Sequence, residues 1–99
     1  MYKRQHWERL TTHNDRDVQF LFTMYPPGSE SAPPDALVRH NGREFGLVLS
    51  GRLGVTIGFD DYVLGPGDSV CFDSTTPHRL HNDGEEPVTA VWFVVNRRP

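Results

Sequence analysis

What most restricts this chain is how often it is interrupted. Turn signals recur at close intervals: Pro26-Pro27-Gly28, Asn41-Gly42, Gly51-Arg52, Phe59 to Asp61 and Gly65-Pro66-Gly67-Asp68. Glycine supplies backbone conformations that other residues resist, and proline removes an amide hydrogen that a helix needs. No window long enough for a helix escapes a glycine, a proline or a strand-like alternation. Nine glycines and eight prolines in 99 residues predict many short strands joined by tight turns.

The segments between the turns fit that expectation. Val18–Tyr25 is rich in β-branched and aromatic residues, which favours a strand. In Leu53–Ile57 the apolar Leu53, Val55 and Ile57 alternate with Gly54 and Thr56, the period of a strand with one buried face. Residues 88–95 place Val88, Ala90, Trp92 and Val94 on one face and Val91, Phe93 and Val95 on the other, and both faces look at least partly covered. Further strands are expected at 6–11, 37–40, 44–50, 62–64, 69–72 and 78–82, with 29–35 as a loop. About eight short strands predict an all-β sandwich, jelly roll or small barrel, folded as a single domain over 1–99. Trp7, the 18–25 strand and the outer face of 88–95 exceed what so short a barrel buries internally. A homodimer is therefore expected, in which a strand from 1–28 adds to the partner's sheet and hides two edges.

Charge and cysteine content remove several functional classes. The net charge is −3, the single lysine is Lys3, and the arginines are scattered, so no face carries the positive cluster that nucleic acid requires. One cysteine, Cys71, rules out an internal disulfide and a cysteine-rich zinc knuckle. A charged-then-apolar leader and a long apolar run are both missing, so the expectation is a cytoplasmic protein without a membrane span, or a domain cut from a longer one. A phosphate-cradling glycine loop between a strand and a helix is not found either.

Three side chains stand out chemically. His40 and Glu44 lie four apart, and His78 follows after several turns. Two imidazoles and a carboxylate form a facial metal site with open positions, the carboxylate offsetting part of the ion's charge. Spacing alone leaves a second reading open, in which the histidines are solvated and Glu44 sits at a strand edge. Against that, Glu44 leads the apolar run Phe45, Gly46, Leu47, Val48 and Leu49, where an unpaired inward carboxylate is costly.

The stretch from His40 to Asn82 resembles the paired motifs of the cupin family. The first motif is represented by His40, three residues, Glu44, six residues and Gly51; the second by Gly67, ten residues, His78, three residues and Asn82. The resemblance implies a double-stranded β-helix, or jelly-roll barrel, with His40, Glu44 and His78 as ligands of one divalent ion: Fe, Mn, Ni, Zn or Cu. Many cupins place another ligand histidine where this chain has Val38; Ala32, Asp73 and Thr75 also depart from the common pattern. Three ligands remain, a complete set for a non-haem ferrous ion. The segment from Phe72 to Leu80 is similar to cupins that follow a helix-turn-helix domain, most of them regulators that sense a small effector and a few of them mononuclear iron epoxidases. No helix-turn-helix lies in these 99 residues, so DNA binding is not expected of this chain itself.

The other candidates are read as structural. Cys71 is expected to be a buried thiol rather than a soft ligand facing the pocket, and His81 to point away from His78. His6 and His13 read as solvated, Asp60-Asp61 as a solvated hairpin tip, and Asn82 as a strand-end residue bonding to backbone. Met24, Tyr25, Phe45, Tyr62 and Trp92 are packing residues or pocket walls. Glycosidase-like chemistry needs two carboxylates across a pocket, and only Glu44 has a claim to face inward. Two functions compete: a module that binds a small polar or anionic molecule for a regulatory system, and an Fe(II)-dependent oxygenase or epoxidase. Arg39 and Arg79 alternate away from the inward positions, and no second inward acid or base can be named, which places the binding module first.

Overall fold

Alternating strands that each have one apolar face must stack those faces together, and the chain does so in two antiparallel sheets. The computed structural model describes residues 6–10, 18–31 and 42–96, and these contain nine strands and no helix. They are β1 (His6–Arg9), β2 (Val18–Tyr25), β3 (Glu30–Ser31), β4 (Gly42–Ser50), β5 (Leu53–Ile57), β6 (Asp60–Leu64), β7 (Ser69–Asp73), β8 (His78–His81) and β9 (Val88–Asn96). One sheet has the order β1-β2-β9-β4-β7, the other β3-β8-β5-β6. The all-β jelly-roll expectation holds. The expected strand at 37–40 lies outside the described residues, as do His13, Val38 and Arg39.

Several boundaries move, each for a physical reason. Glu30 and Ser31, expected in a loop, pair with His81 and Leu80 as β3. That ladder continues through hydrogen bonds from Gly28 N to Asn82 O (2.8 Å) and from Asn82 N to Ser29 O (3.0 Å). Gly42, half of an expected turn, is instead the first residue of β4: it pairs with Asn96, and its carbonyl accepts from Ser74 N at 2.9 Å. Asp60 and Asp61 belong to β6 opposite Ile57 and Thr56, and the turn is Gly58-Phe59. β1 lies along β2 of the same chain, Trp7 opposite Thr23.

The core forms where the inner faces meet. Leu53, Val55, Val88 and Ala90 are fully buried, with Val48, Phe72, Leu80 and Trp92 packed around them. Two glycines make this geometry feasible. Gly51 turns the chain with φ at +80°, and a Cβ there would stand 2.6 Å from the Pro87 carbonyl. Gly46 faces inward opposite Trp92, whose ring occupies the place of the missing side chain; a Cβ would come within 2.5 Å of it.

Candidate functional site

Strand alternation decides which way Glu44 points. β4 buries Gly42, Gly46 and Val48, so Glu44 shares their inward face, between Phe72 on β7 and Val94 on β9. His78 opens β8 in the opposite sheet and shares its inward face with Leu80. The two side chains meet across the interior, with His78 Nε2 3.8 Å from Glu44 Oε2 and the side chains only 10% and 21% exposed.

The imidazole is oriented from behind. His78 Nδ1 lies 2.8 Å from the Thr76 carbonyl oxygen, which can only accept, so Nδ1 carries the hydrogen. In the neutral ring the lone pair is then on Nε2, directed towards Glu44, which is how metal-ligating histidines are commonly held. Two ligands of a tetrahedral ion at about 2.1 Å stand roughly 3.4 Å apart; the 3.8 Å gap observed is near that and too long for a direct hydrogen bond. These two groups thus fit a divalent ion. The third expected ligand, His40, lies outside the described residues, and no group of three His, Cys, Asp or Glu is gathered among the described ones.

Aromatic rings wall the site. Phe72 lies 4.6 Å from the His78 ring, centroid to centroid, and Trp92 meets Phe72 edge-on at 6.0 Å. Trp92 Nε1 donates to the Tyr25 hydroxyl at 3.0 Å, and Thr23 Oγ1 donates to the Ala90 carbonyl at 3.3 Å. Burial pushes the Tyr25 hydroxyl above its ordinary pKa; hydrogen bonds with Thr23 and Trp92 oppose this, and the nearby Glu44 charge adds to it. Tyr25 therefore stays protonated and polar in an otherwise apolar wall. Nothing in the sequence separated it from a packing residue. Its inward position follows from alternation with Thr23 in Val18–Tyr25, but the bond to Trp92 depends on register.

The remaining candidates fall away from the site. Cys71 is exposed on the outer face of β7, not buried as expected: Val70 and Phe72 take the inward positions, and Arg43 Nη2 donates to its Sγ at 3.0 Å. His81 lies against Gly54 on the far side of its strand, 2.7 Å from Asp83 Oδ2. Arg79 pairs with Glu30 at 3.0 Å, at the surface. Asn82 is buried and bonds to backbone, as expected. Asp61 accepts from Thr56 Oγ1 at 2.6 Å. Among the described residues no helix is long and apolar enough to cross a membrane.

The profile of the Cupin_2 family, a cupin domain, matches residues 21–94. The HTH-type transcriptional regulator PuuR of Escherichia coli is 32% identical over 68 residues, a stretch covering 69% of this chain and 35% of that protein. This chain thus spans about a third of that regulator's length. Among solved structures, the Cupin_2 domain of an XRE family transcriptional regulator from Enterobacter cloacae superposes with a TM-score of 0.79 at 24% identity, covering 95% of this chain and 98% of that one. A cupin superfamily protein from Desulfitobacterium hafniense gives 0.80 at 14% identity, covering 98% and 82%. At these identities the structural matches speak to the fold.

Proposed function

Because the chain belongs to the Cupin_2 family of cupin domains, we propose that it is a sensing module, binding one small polar or anionic molecule beside a divalent ion held by His40, Glu44 and His78. The observation that carries this reading is the convergence of Glu44 Oε2 and His78 Nε2 at 3.8 Å inside a largely apolar barrel. A bound ion would offset the Glu44 charge and leave positions open for a ligand oxygen. The chain's own groups would complete recognition: Phe72 and Trp92 exclude water, and Tyr25 presents a neutral hydroxyl near Glu44. The regulatory setting is supported by the similarity to the HTH-type transcriptional regulator PuuR, of which this chain matches about a third. Such a module would act in the cytoplasm as a homodimer, and any DNA contact would be made by a domain outside these residues.

Elemental analysis and zinc titration test the site. One equivalent of Zn(II) should bind, and His78→Ala and Glu44→Ala should each weaken it by about a hundred-fold or more. Stoichiometric binding untouched by either substitution would dismiss these ligands.

A second reading, an Fe(II)-dependent oxygenase or epoxidase, draws on the same two-histidine, one-carboxylate donor set. The buried Tyr25 hydroxyl favours it, as a polar group close to the site. Oxygen uptake by iron-loaded protein with candidate metabolites separates the two: a sensor binds its effector equally with zinc and consumes no oxygen, whereas an oxygenase consumes it only with substrate.

A further inference from the structure

Register gives the five-stranded sheet an outer face with Phe20, Phe93 and Phe45 in one row and Phe22, Val91 and Leu47 in the next. The four-stranded sheet differs. Its outer face carries Glu30, Arg79, Thr56 and Asp61, and its apolar exposure gathers at one edge. That edge is β6, which among the described residues pairs with β5 alone. Phe59 stands fully exposed before it, and Tyr62 and Val63 are 49% and 68% exposed within it. Edge strands are ordinarily blunted by lysine, proline or a bulge. Residues 58–64 contain neither lysine nor proline, and the ladder with β5 runs without a register shift. Hairpin geometry determines which backbone groups face outward. β5 and β6 are joined by Gly58-Phe59, with Gly58 at φ +61°. In a two-residue hairpin the residues flanking the turn exchange both hydrogen bonds, and every second pair after them does the same. Asp60, Tyr62 and Leu64 therefore bond to β5, while the N–H and C=O groups of Asp61 and Val63 point to the open side.

We infer that the β6 edge docks an extended, basic segment of another protein, which adds to the four-stranded sheet as an antiparallel strand. The contact needs neither a metal nor an effector, so it goes beyond the sensing reading and is tested apart from it. Charge selects the occupant. From Leu53 to Pro77 the chain has four aspartates and no lysine or arginine. Asp60 and Asp61 are exposed at the start of β6. Asp61 Oδ1 accepts from Thr56 Oγ1 at 2.6 Å, which holds that carboxylate on the outer face of the sheet. Asp68 closes the turn after β6, its Oδ2 accepting from Gly65 N at 2.9 Å. The strand is thus acidic at both ends. A second copy of this edge fits poorly: antiparallel pairing brings Asp60 and Asp61 towards the partner's Asp68, and parallel pairing sets aspartate against aspartate. Nucleic acid is repelled by the same charges. A segment that alternates apolar and basic residues fits both faces. Its basic side chains lie opposite Asp61 and Val63, where an aliphatic stem covers the valine, and its apolar ones lie against Tyr62.

Titration of the isotope-labelled full chain, with EDTA present, against a synthetic eight-residue peptide alternating valine and lysine tests this by NMR. Amide shifts should move in 59–65, and exchange of the Asp61 and Val63 amides should slow by about ten-fold or more. Binding should weaken as salt is raised. A peptide with glutamate in place of lysine should not bind. Val63→Pro removes one outward N–H and spares the neighbouring bonds to β5; it should abolish binding and leave the spectrum beyond β6 unchanged. Asp60→Asn combined with Asp61→Asn should weaken binding by about five-fold. The wild-type exchange measurement does not depend on any variant folding. No shift at millimolar peptide, shifts centred on β1, β7 or the acidic 83–87 loop, equal binding of the glutamate peptide, or 59–65 shifts that grow with protein concentration alone would each overturn the assignment. Peptide binding by protein that takes up no zinc would leave this inference standing and remove the proposed metal site.

Discussion

Asn82 is almost fully buried and has every side-chain group engaged. Its Nδ2 donates to the carbonyls of Tyr25 (2.9 Å) and Glu86 (2.8 Å), while its Oδ1 accepts from Gly84 N at 3.0 Å. One amide thereby ties the end of β2 to the loop before β9. Asn82→Ala strands buried backbone groups, each costing about 1–3 kcal/mol, so urea unfolding should show a loss of roughly 2–4 kcal/mol. Gly46→Ala is the packing counterpart. Its methyl would meet the Trp92 ring, and overpacking of this kind costs about 1–3 kcal/mol; tryptophan fluorescence should shift along with the unfolding midpoint. Tyr25 adds a pH dependence. The folded state keeps its proton above the ordinary pKa of about 10, whereas the unfolded chain releases it there. Stability is therefore unaffected below about pH 10 and declines as pH climbs through the raised folded value. Tyr25→Phe should flatten that alkaline decline in thermal melts taken between pH 9 and 11.

At the scale of elements, β9 sits between β2 and β4 and is paired along nearly its whole length, while β6 is an edge with exposed Tyr62 and Val63. Amide hydrogen exchange should be slowest in 88–95, by ~100-fold or more over β6; equal rates would mean that the two sheets open together. Much of this was legible beforehand. Alternation in Leu53–Ile57 and 88–95 identified the buried faces, because a period of two commits every second side chain. It also set His78 and His81 on opposite sides. Partner and register were not legible. The approach of Glu44 to His78 depends on how two sheets stack, and β3 forms only because β8 offers it an edge. Cys71 departs from expectation for a related reason: burial inferred from residue type presumes that both faces of β7 are covered, and among the described residues only the Val70 and Phe72 face is.

For the whole molecule, ligand binding and folding stability are linked. Zinc at a hundred-fold excess over its dissociation constant should stabilise the fold by about 2.7 kcal/mol. In a domain of this size that raises Tm by roughly 10–20 °C. Differential scanning fluorimetry should show the shift in the wild type and lose it in His78→Ala. A shift that survives the substitution would point to metal bound elsewhere.

The alternation of β4 also has something like a reading frame. Glu44 looks into the barrel and Phe45 out of it; Gly46 makes room for Trp92 while Leu47 joins the outer rows. A substitution alters one face at a time. A change of one residue in length at the start of β4 exchanges the two faces: a deletion sets Phe45 in the place of Glu44 against His78, and an insertion sets Glu44 in the place of Phe45 among the phenyl rings. Variation in this segment is therefore confined to replacement, and changes of length belong to the turns, such as Gly58-Phe59 and the exposed 83–87 loop.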